Sequence, residues 1–237
     1  MDASADPRGA NGILQRLPAK LQASLAPQLR KIVLARGAVL HEAGEAITNV
    51  YFLSSGMVSV LAILQSGEAI ETGIIGREGY IGGYYGPRGW RSWGHAVVQM
   101  GGEAFALNVR HFKKAYDGSE HFRDLINAYQ SVMYFQAQLT AACQALHSVE
   151  ARMCRWLLQA QDVVGSDTLH LTQEFLAHML GVRRTSISGS AKQVQDAGLI
   201  TYKRGVIRIL DRNGLQKRSC ECHAATRGAI ASMMPSE

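Results

Sequence analysis

The chain has 237 residues, 47% of them hydrophobic and 19% charged, and a formal net charge of +6. That length accommodates two domains, the apolar share supplies a core, and the modest charge content excludes a disordered chain. No run reaches the roughly 18 consecutive apolar residues of a membrane span. The opening "MDASADPRGANG" lacks the basic start and apolar stretch of a signal peptide, so a cytoplasmic protein without a membrane partner is expected.

Leu14, Leu17, Leu21, Leu25 and Leu29 recur at helical spacing, with Pro18 and Pro27 dividing the stretch into short pieces. From Val39 to Leu107 the texture changes to short apolar runs separated by glycine, among them "AVLHEAGE", "VYFLSSGMVSVLAIL" and "AVVQMGGEAFAL". Ser66-Gly67 and Gly101-Gly102 punctuate these runs as turns. Strands at this pitch predict an antiparallel sandwich or roll.

From about Val109 the period switches again. "HFRDLINAYQSVMYFQAQLTAACQAL" holds neither Gly nor Pro. Phe122, Leu125, Tyr129, Val132, Phe135 or Gln136, Leu139, and Cys143 or Leu146 recur at steps of three and four. One long helix is predicted, apolar on more than one face, and therefore suited to pairing with a second subunit. "SVEARMCRWLLQAQ" follows as an amphipathic helix, and "DVVGSDT" as a loop.

The last section carries the most information. Thr172 is a plausible N-cap for a helix over Gln173 to Leu180, burying Leu176, Met179 and Leu180. Gly181 turns the chain into a second helix that buries Ile187, Ala191 and Val194 and ends at Gly198. Leu199-Ile200 then opens a hairpin with its tip at Lys203-Arg204-Gly205. The pattern predicts a winged helix-turn-helix.

Charge concentrates on this segment. Residues 1–148 balance at +2, whereas the 36 residues from Arg183 to Arg218 hold nine basic and two acidic side chains, or +7. A basic field on a small segment suits a polyanion. The outer face of the second helix carries Arg184, Thr185, Ser188 and Lys192, with Gly189 among them. Arginine presents a fork to guanine, hydroxyls donate to bases or phosphates, and short residues let a backbone approach. The DNA-binding candidates are Thr172, Arg183, Arg184, Thr185, Ser186, Ser188, Lys192, Lys203 and Arg204, with Arg183 and Arg184 nearest the bases and the hairpin tip on phosphate.

Two domains of this kind joined by a long helix resemble the Crp/Fnr superfamily of bacterial transcription regulators, over about Leu14 to Leu215. "HEAGEAITNVYFLSSGMVSV" is similar to that family's early β-roll signature, with Gly44 and Gly56 framing the Tyr-Phe-Leu strand. "LTQEFLAHMLGVRRTSISGSAKQVQDAGLI" is similar to its winged helix-turn-helix. The resemblance implies an α+β chain: an antiparallel, cyclic-nucleotide-binding-like β-roll sensor over 13–110, a dimerisation helix over 111–147, a DNA-binding domain over 148–223 and a tail over 224–237. It also implies a homodimer on a palindromic double-stranded operator, RNA polymerase as a partner, and a small-molecule effector in the roll.

Cyclic-AMP-binding members carry a Gly-Glu pair after an Ile-Gly strand, a later Arg-Ser pair, and a Thr-Ser pair on the long helix. Here Ile81-Gly82 is followed by Gly83, so the carboxylate for the ribose is missing. Arg91-Ser92 is one residue out of register with the following strand, and Ala137-Gln138 replaces the hydroxyl pair. Gly82, Gly83, Arg91, Ser92, Ala137 and Gln138 therefore mark a degenerate effector pocket, and control by cyclic AMP is not expected; a different small ligand is the alternative. The Trp90-Trp93 and Tyr84-Tyr85 cluster either reshapes that pocket or fills it. The reading helix departs from Crp too, which has Arg-Glu at its start and a second Arg one turn later. Arg184, Thr185 and Gly189 stand there instead, so a different half-site is expected.

No cofactor is expected. Iron–sulfur members use N-terminal cysteines, and this chain has none before Cys143. His41, His95 and His111, which could be considered for haem, read as ordinary roll residues. Cys220 and Cys222, even with His223, supply too few ligands for a closed zinc site, so reduced, structural or incidental thiols and no metal are expected. A cupin-like metal enzyme is the rival from another class. It needs a His-x-His pair that the roll lacks, and there is no nucleophile elbow or phosphate loop, so no enzymatic activity is expected.

Overall fold

Asn11 opens the first described element by accepting hydrogen bonds from Ile13 N and Leu14 N, capping α1 (Gly12–Gln15). Pro18 precedes α2 (Ala19–Leu25), as its fixed φ allows. The structure, a computed structural model, describes residues 11–86, 89–92 and 94–234. The chain divides into two compact units: one runs up to Val60 and includes Ile75–Ser131, and the other joins Leu61–Ile74 to the chain from Val132 onward.

The first unit is the antiparallel roll. Its strands are β1 (Arg30–Leu34), β2 (Val39–His41), β3 (Asn49–Leu53), the start of β4 (Met57–Ile63), β6 (Tyr80–Ile81), β7 (Tyr84–Gly86), β8 (Gly89–Arg91), β9 (His95–Met100) and β10 (Gly102–Asn108). One sheet runs β1-β10-β3-β6, with Ile32 opposite Ala104 and Phe105 opposite Phe52. The leucine spacing that predicts helix up to Leu29 stops there. "RKIVL" is β1 instead, because its β-branched residues find a partner in β10, a pairing no local pattern announces. Inside, Phe52, Tyr80, Phe112, Phe122 and Tyr129 are buried, and Phe112 lies within ring contact of the first two and of Trp90.

Two helices follow: the run 121–146, expected as one long helix, is unbroken, and a shorter helix precedes it. α3 (Val109–Gly118) ends at Ser119, whose extended backbone separates the two and whose Oγ accepts from Phe122 N to start α4 (Glu120–Leu146). Along α4 the buried stripe is Phe122, Ile126, Tyr129, Val132, Gln136 and Cys143, while Tyr134 and Leu146 are exposed. Its period of three to four is the one expected, although Ile126 takes the buried place foreseen for Leu125.

The second unit centres on α5 (Val149–Val164), capped by Ser148. Every residue from Arg152 to Gln161 is buried, so this helix, expected as amphipathic, has its polar side enclosed as well. Trp156 donates to Glu71 Oε1 at 2.7 Å, which attaches the hairpin of β4 and β5 (Ala69–Ile75) to α5 within this unit. Around it stand β11 (Thr168–His170), α6 (Gln173–Met179), α7 (Arg184–Asp196), β12 (Ile200–Lys203) and β13 (Val206–Ile209). The wing is a three-stranded sheet in the order β11-β13-β12, with Leu169 opposite Ile207. β11, which begins at the last residue of the loop read over "DVVGSDT", adds a third strand to the expected two-stranded hairpin. Two more helices follow: α8 (Arg212–Arg218), inside the stretch expected as the DNA-binding domain, and α9 (Cys222–Met233), which takes in most of the expected tail. Asp162 of α5 holds both, accepting from Arg212 at 2.7 Å and pairing with His223 at 2.8 Å. Among the described residues no helix is long and apolar enough to cross a membrane.

Candidate nucleic-acid interface

Local chemistry sets the angle between the two helices. Thr172 Oγ1 accepts from Phe175 N at 3.1 Å and starts α6. The buried guanidinium of Arg152 donates to the Leu180 carbonyl, securing the turn that Gly181 makes. Ile187, Ala191 and Val194 of α7 are buried at i, i+4 and i+7, so the rest of that helix faces outward. Gly198, at φ +74, closes α7: Leu199 N returns to Val194 O and Gly198 N to Gln195 O. The wing turn is Arg204-Gly205, with φ +51 and +76, the geometry a tight hairpin of right-handed twist requires.

Arg183, the N-cap of α7, and Arg184, Thr185 and Ser186 of its first turn are all exposed, as are Lys192, Lys203 and Arg204. A side chain added at Gly189 would meet nothing within 4 Å, so α7 is bare at the middle of its outer face. Between α6, α7 and the wing lies an open cleft of about 660 Å3, lined by Thr172, Arg184, Ser188, Lys192 and Arg204. Two candidates are partly spent inside the fold. Thr172 is a helix cap, and Ser188 is half-buried, its Oγ donating to Gln173 Oε1 at 2.6 Å.

Three cleft residues escape the sequence reading. Gln173 steadies Ser188, Gln195 Oε1 accepts from Tyr202 N at 2.7 Å, and Tyr202 OH donates to the Leu171 carbonyl at 2.9 Å. Burial pushes the Tyr202 hydroxyl up to about 12, so it remains a neutral donor. Together these bonds connect α7 to the wing. Gln173 at the first position of α6 is legible as polar, but its pairing depends on how the helices cross.

Residues 151–218 match the model of the Crp-like helix-turn-helix domain. No curated relative is detectable from sequence. Solved structures add the rest of the chain. A regulator from Eubacterium rectale assigned to the Crp/Fnr family shares 16% identity at a TM-score of 0.69, over 89% of this chain and 98% of its own. The c-di-GMP-responsive global regulator CLP of Xanthomonas campestris shares 15% at 0.66, over 81% and 99%. TTHB099, a Crp-family transcriptional regulator of Thermus thermophilus, shares 19% at 0.65, over 79% and 96%. The chain has the Crp/Fnr fold. The proteins it is similar to are described as regulators of transcription, not as enzymes.

Within this Crp/Fnr fold, the residues at the expected effector positions are occupied otherwise. Gly83 has φ +46, and a Cβ there would stand 2.1 Å from the Arg91 carbonyl oxygen, so the place of the missing carboxylate has room for no side chain at all. At Gly82 a Cβ would meet the Tyr80 ring at 2.3 Å. Gln130 donates to Tyr80 OH at 3.0 Å and to the Gly83 carbonyl at 3.1 Å, tying this loop to α4. Arg91 donates to the Gly44 carbonyl and Ser92 to the Gly94 carbonyl, each at 2.6 Å, so both hold loop backbone. Trp90 is buried edge-on against Phe112 and Tyr116, filling space; Trp93 lies outside the described residues. In the second unit Ala137 is half-buried, and Gln138 is exposed and donates to Tyr134 OH.

The thiols are not scattered. Cys220 and Cys222 meet Cys143 and His147, whereas His223, considered from sequence as a third ligand, is committed to Asp162. The hydrogen bond between Cys143 and Cys220 holds the Cys143 thiol down to about 5 and pushes the Cys220 proton's loss far upward. The C-x-x-x-H spacing of Cys143 and His147 on a helix was the readable signal.

Proposed function

We propose that this chain is a sequence-specific DNA-binding transcription regulator of the Crp/Fnr type, a homodimer on a palindromic operator, with an effector pocket no longer built for cyclic AMP. One observation carries the reading. A Crp-like helix-turn-helix presents Arg183, Arg184, Thr185 and Lys192 around a bare Gly189, with Lys203 and Arg204 at the wing tip, and these cations outnumber the acidic side chain, Glu174, that lines the same cleft. α7 enters the major groove, where Arg184 reads a guanine and the small residues admit the helix backbone. Lys203 and Arg204 sit on phosphate, and the unsatisfied N–H groups at the start of α7 favour a phosphate as well. Thr172 and Ser188 orient the two helices more than they read DNA.

In this reading the roll is the sensor, and α4 pairs with its copy through faces such as that of Tyr134. The paired recognition helices stand about 34 Å apart, one DNA turn. The protein works in the cytoplasm on chromosomal DNA and acts through RNA polymerase. The glycine at the carboxylate position and the engagement of Arg91 with the Gly44 carbonyl support an effector other than cyclic AMP, or none. On a selected operator, Arg184→Ala costs ~1–3 kcal/mol and relaxes preference at one base pair per half-site. Anisotropy titrations against operators substituted at each position measure this; unchanged affinity and unchanged preference would remove Arg184 from the interface.

A further inference from the structure

Four ligand-bearing side chains converge at the joint between α4 and α5, outside the DNA face. Cys143 lies in the last turn of α4. His147 follows it by four residues, and the backbone bond from His147 N to Cys143 O at 3.2 Å keeps both on one helical face. Cys220 and Cys222 flank Glu221, Cys220 in the link after α8 and Cys222 at the first position of α9. All four donor atoms lie within 4.8 Å of one another, and the three thiols are buried beside Leu139 and Ala151.

The spacing matches one small ion. Metal–sulfur bonds of about 2.3 Å and a metal–nitrogen bond of about 2.0–2.1 Å place tetrahedral ligands about 3.8 Å apart for two sulfurs and about 3.6 Å apart for sulfur and nitrogen. Cys143 Sγ is 3.6 Å from Cys220 Sγ, and Cys222 Sγ is 3.6 Å from His147 Nδ1. A multinuclear cluster needs its ligands spread around several metals.

Two further features suit a metal. The other nitrogen of His147, Nε2, is 3.3 Å from the Glu221 carboxylate, which favours the proton on Nε2 and leaves the Nδ1 lone pair facing the thiols. The buried guanidiniums of Arg152 and Arg155 exert their positive charge on these sulfurs, and the Nε of each is buried without a hydrogen-bond partner. Among the described residues neither takes part in an ion pair. Three thiolates and a neutral imidazole around a divalent ion carry one net negative charge, the counter-ion that buried guanidiniums require.

We propose that Cys143, His147, Cys220 and Cys222 bind one zinc ion per chain in a closed tetrahedral site. The ion displaces whatever thiol protons the three cysteines still hold, which pass to solvent, and no redox step is involved. Its ligands come from the end of α4 and from the α8–α9 link, so it fastens the C-terminal helices to the joint from which α5 departs. A closed ligand set gives it a structural role.

The test uses the full chain, purified under reductant with its affinity tag removed. Elemental analysis should find about one zinc per chain. The zinc-free protein titrated with Co2+ should develop a thiolate-to-cobalt charge-transfer band and the strong visible bands of a tetrahedral site, saturating at one equivalent. Removing zinc should lower Tm by several degrees, and zinc should restore it. Cys143→Ser and Cys222→Ser should each lose the cobalt spectrum, whereas Cys154→Ser, outside the cluster, should keep it. Folded wild-type protein with trace metal and no charge-transfer band would overturn the proposal. So would iron with acid-labile sulfide, or a Cys143–Cys220 disulfide forming equally fast with and without zinc.

Discussion

Arg204→Gly separates the fold of the wing from its charge. Arg204 holds φ +51, a left-handed conformation that costs a side-chain-bearing residue about 1–2 kcal/mol. Glycine removes that strain but adds about 0.5–1 kcal/mol of unfolded-state entropy. The balance lies between about 0 and 1.5 kcal/mol in favour of the variant, so Tm should stay level or rise by up to about 5 °C. Binding should move the other way. Five exposed cations per subunit (Arg183, Arg184, Lys192, Lys203 and Arg204) neutralise about ten phosphates in a dimer, giving a slope of log K against log salt near −9. Losing Arg204 from both subunits should bring the slope to about −7, with the same loss on every DNA sequence. Anisotropy titrations across a salt series, paired with thermal unfolding, measure both quantities. An unchanged slope would take the wing off the phosphates, and a large fall in Tm would contradict the strained-turn reading.

Gly189→Ala should stabilise the domain by about 1 kcal/mol, since the site is helical and open. Gly189→Leu should also fold, yet bind DNA weakly because its side chain stands between helix and groove; full affinity would show that this face is not the one that docks. Trp156→Phe removes the 2.7 Å bond to buried Glu71 and should cost about 1–3 kcal/mol in denaturant unfolding. At Asp162, burial would raise the carboxyl, but the His223 hydrogen bond and the Arg212 guanidinium together hold it below its ordinary 3.8. A lowered folded value means stability present above 3.8 and lost as pH falls through the folded value. Asp162→Asn should therefore flatten the acid limb of the stability profile and lower the neutral plateau.

Much of this architecture is legible in order along the chain. The recognition unit is local: the Thr172 cap, Gly181, the i, i+4, i+7 apolar residues and Gly198 each act within one turn of where they stand, and the structure keeps all of them. What sequence concealed depends on distant partners. β1 is a strand because β10 lies beside it, β11 because β13 does, and α5 is enclosed because α7, α8 and α9, all later in the chain, pack around it. Ser188 looked like a DNA donor until its bond to Gln173 appeared. The thiol cluster shows the same limit: Cys220 and Cys222 were two ligands short, and the missing pair sits more than 70 residues earlier in the chain.

The most direct measurement is a selection of DNA from a random pool with the purified protein, run without nucleotide and with cyclic AMP, cyclic GMP or c-di-GMP, followed by titration of the selected site. The expected result is a two-fold symmetric site, its half-sites one helical turn apart and distinct from those of Crp, enriched without cyclic AMP. Enrichment only with cyclic AMP would contradict the reading of Gly83, and a folded protein that enriches no sequence under any condition would contradict the assignment of α7 as a DNA-reading helix.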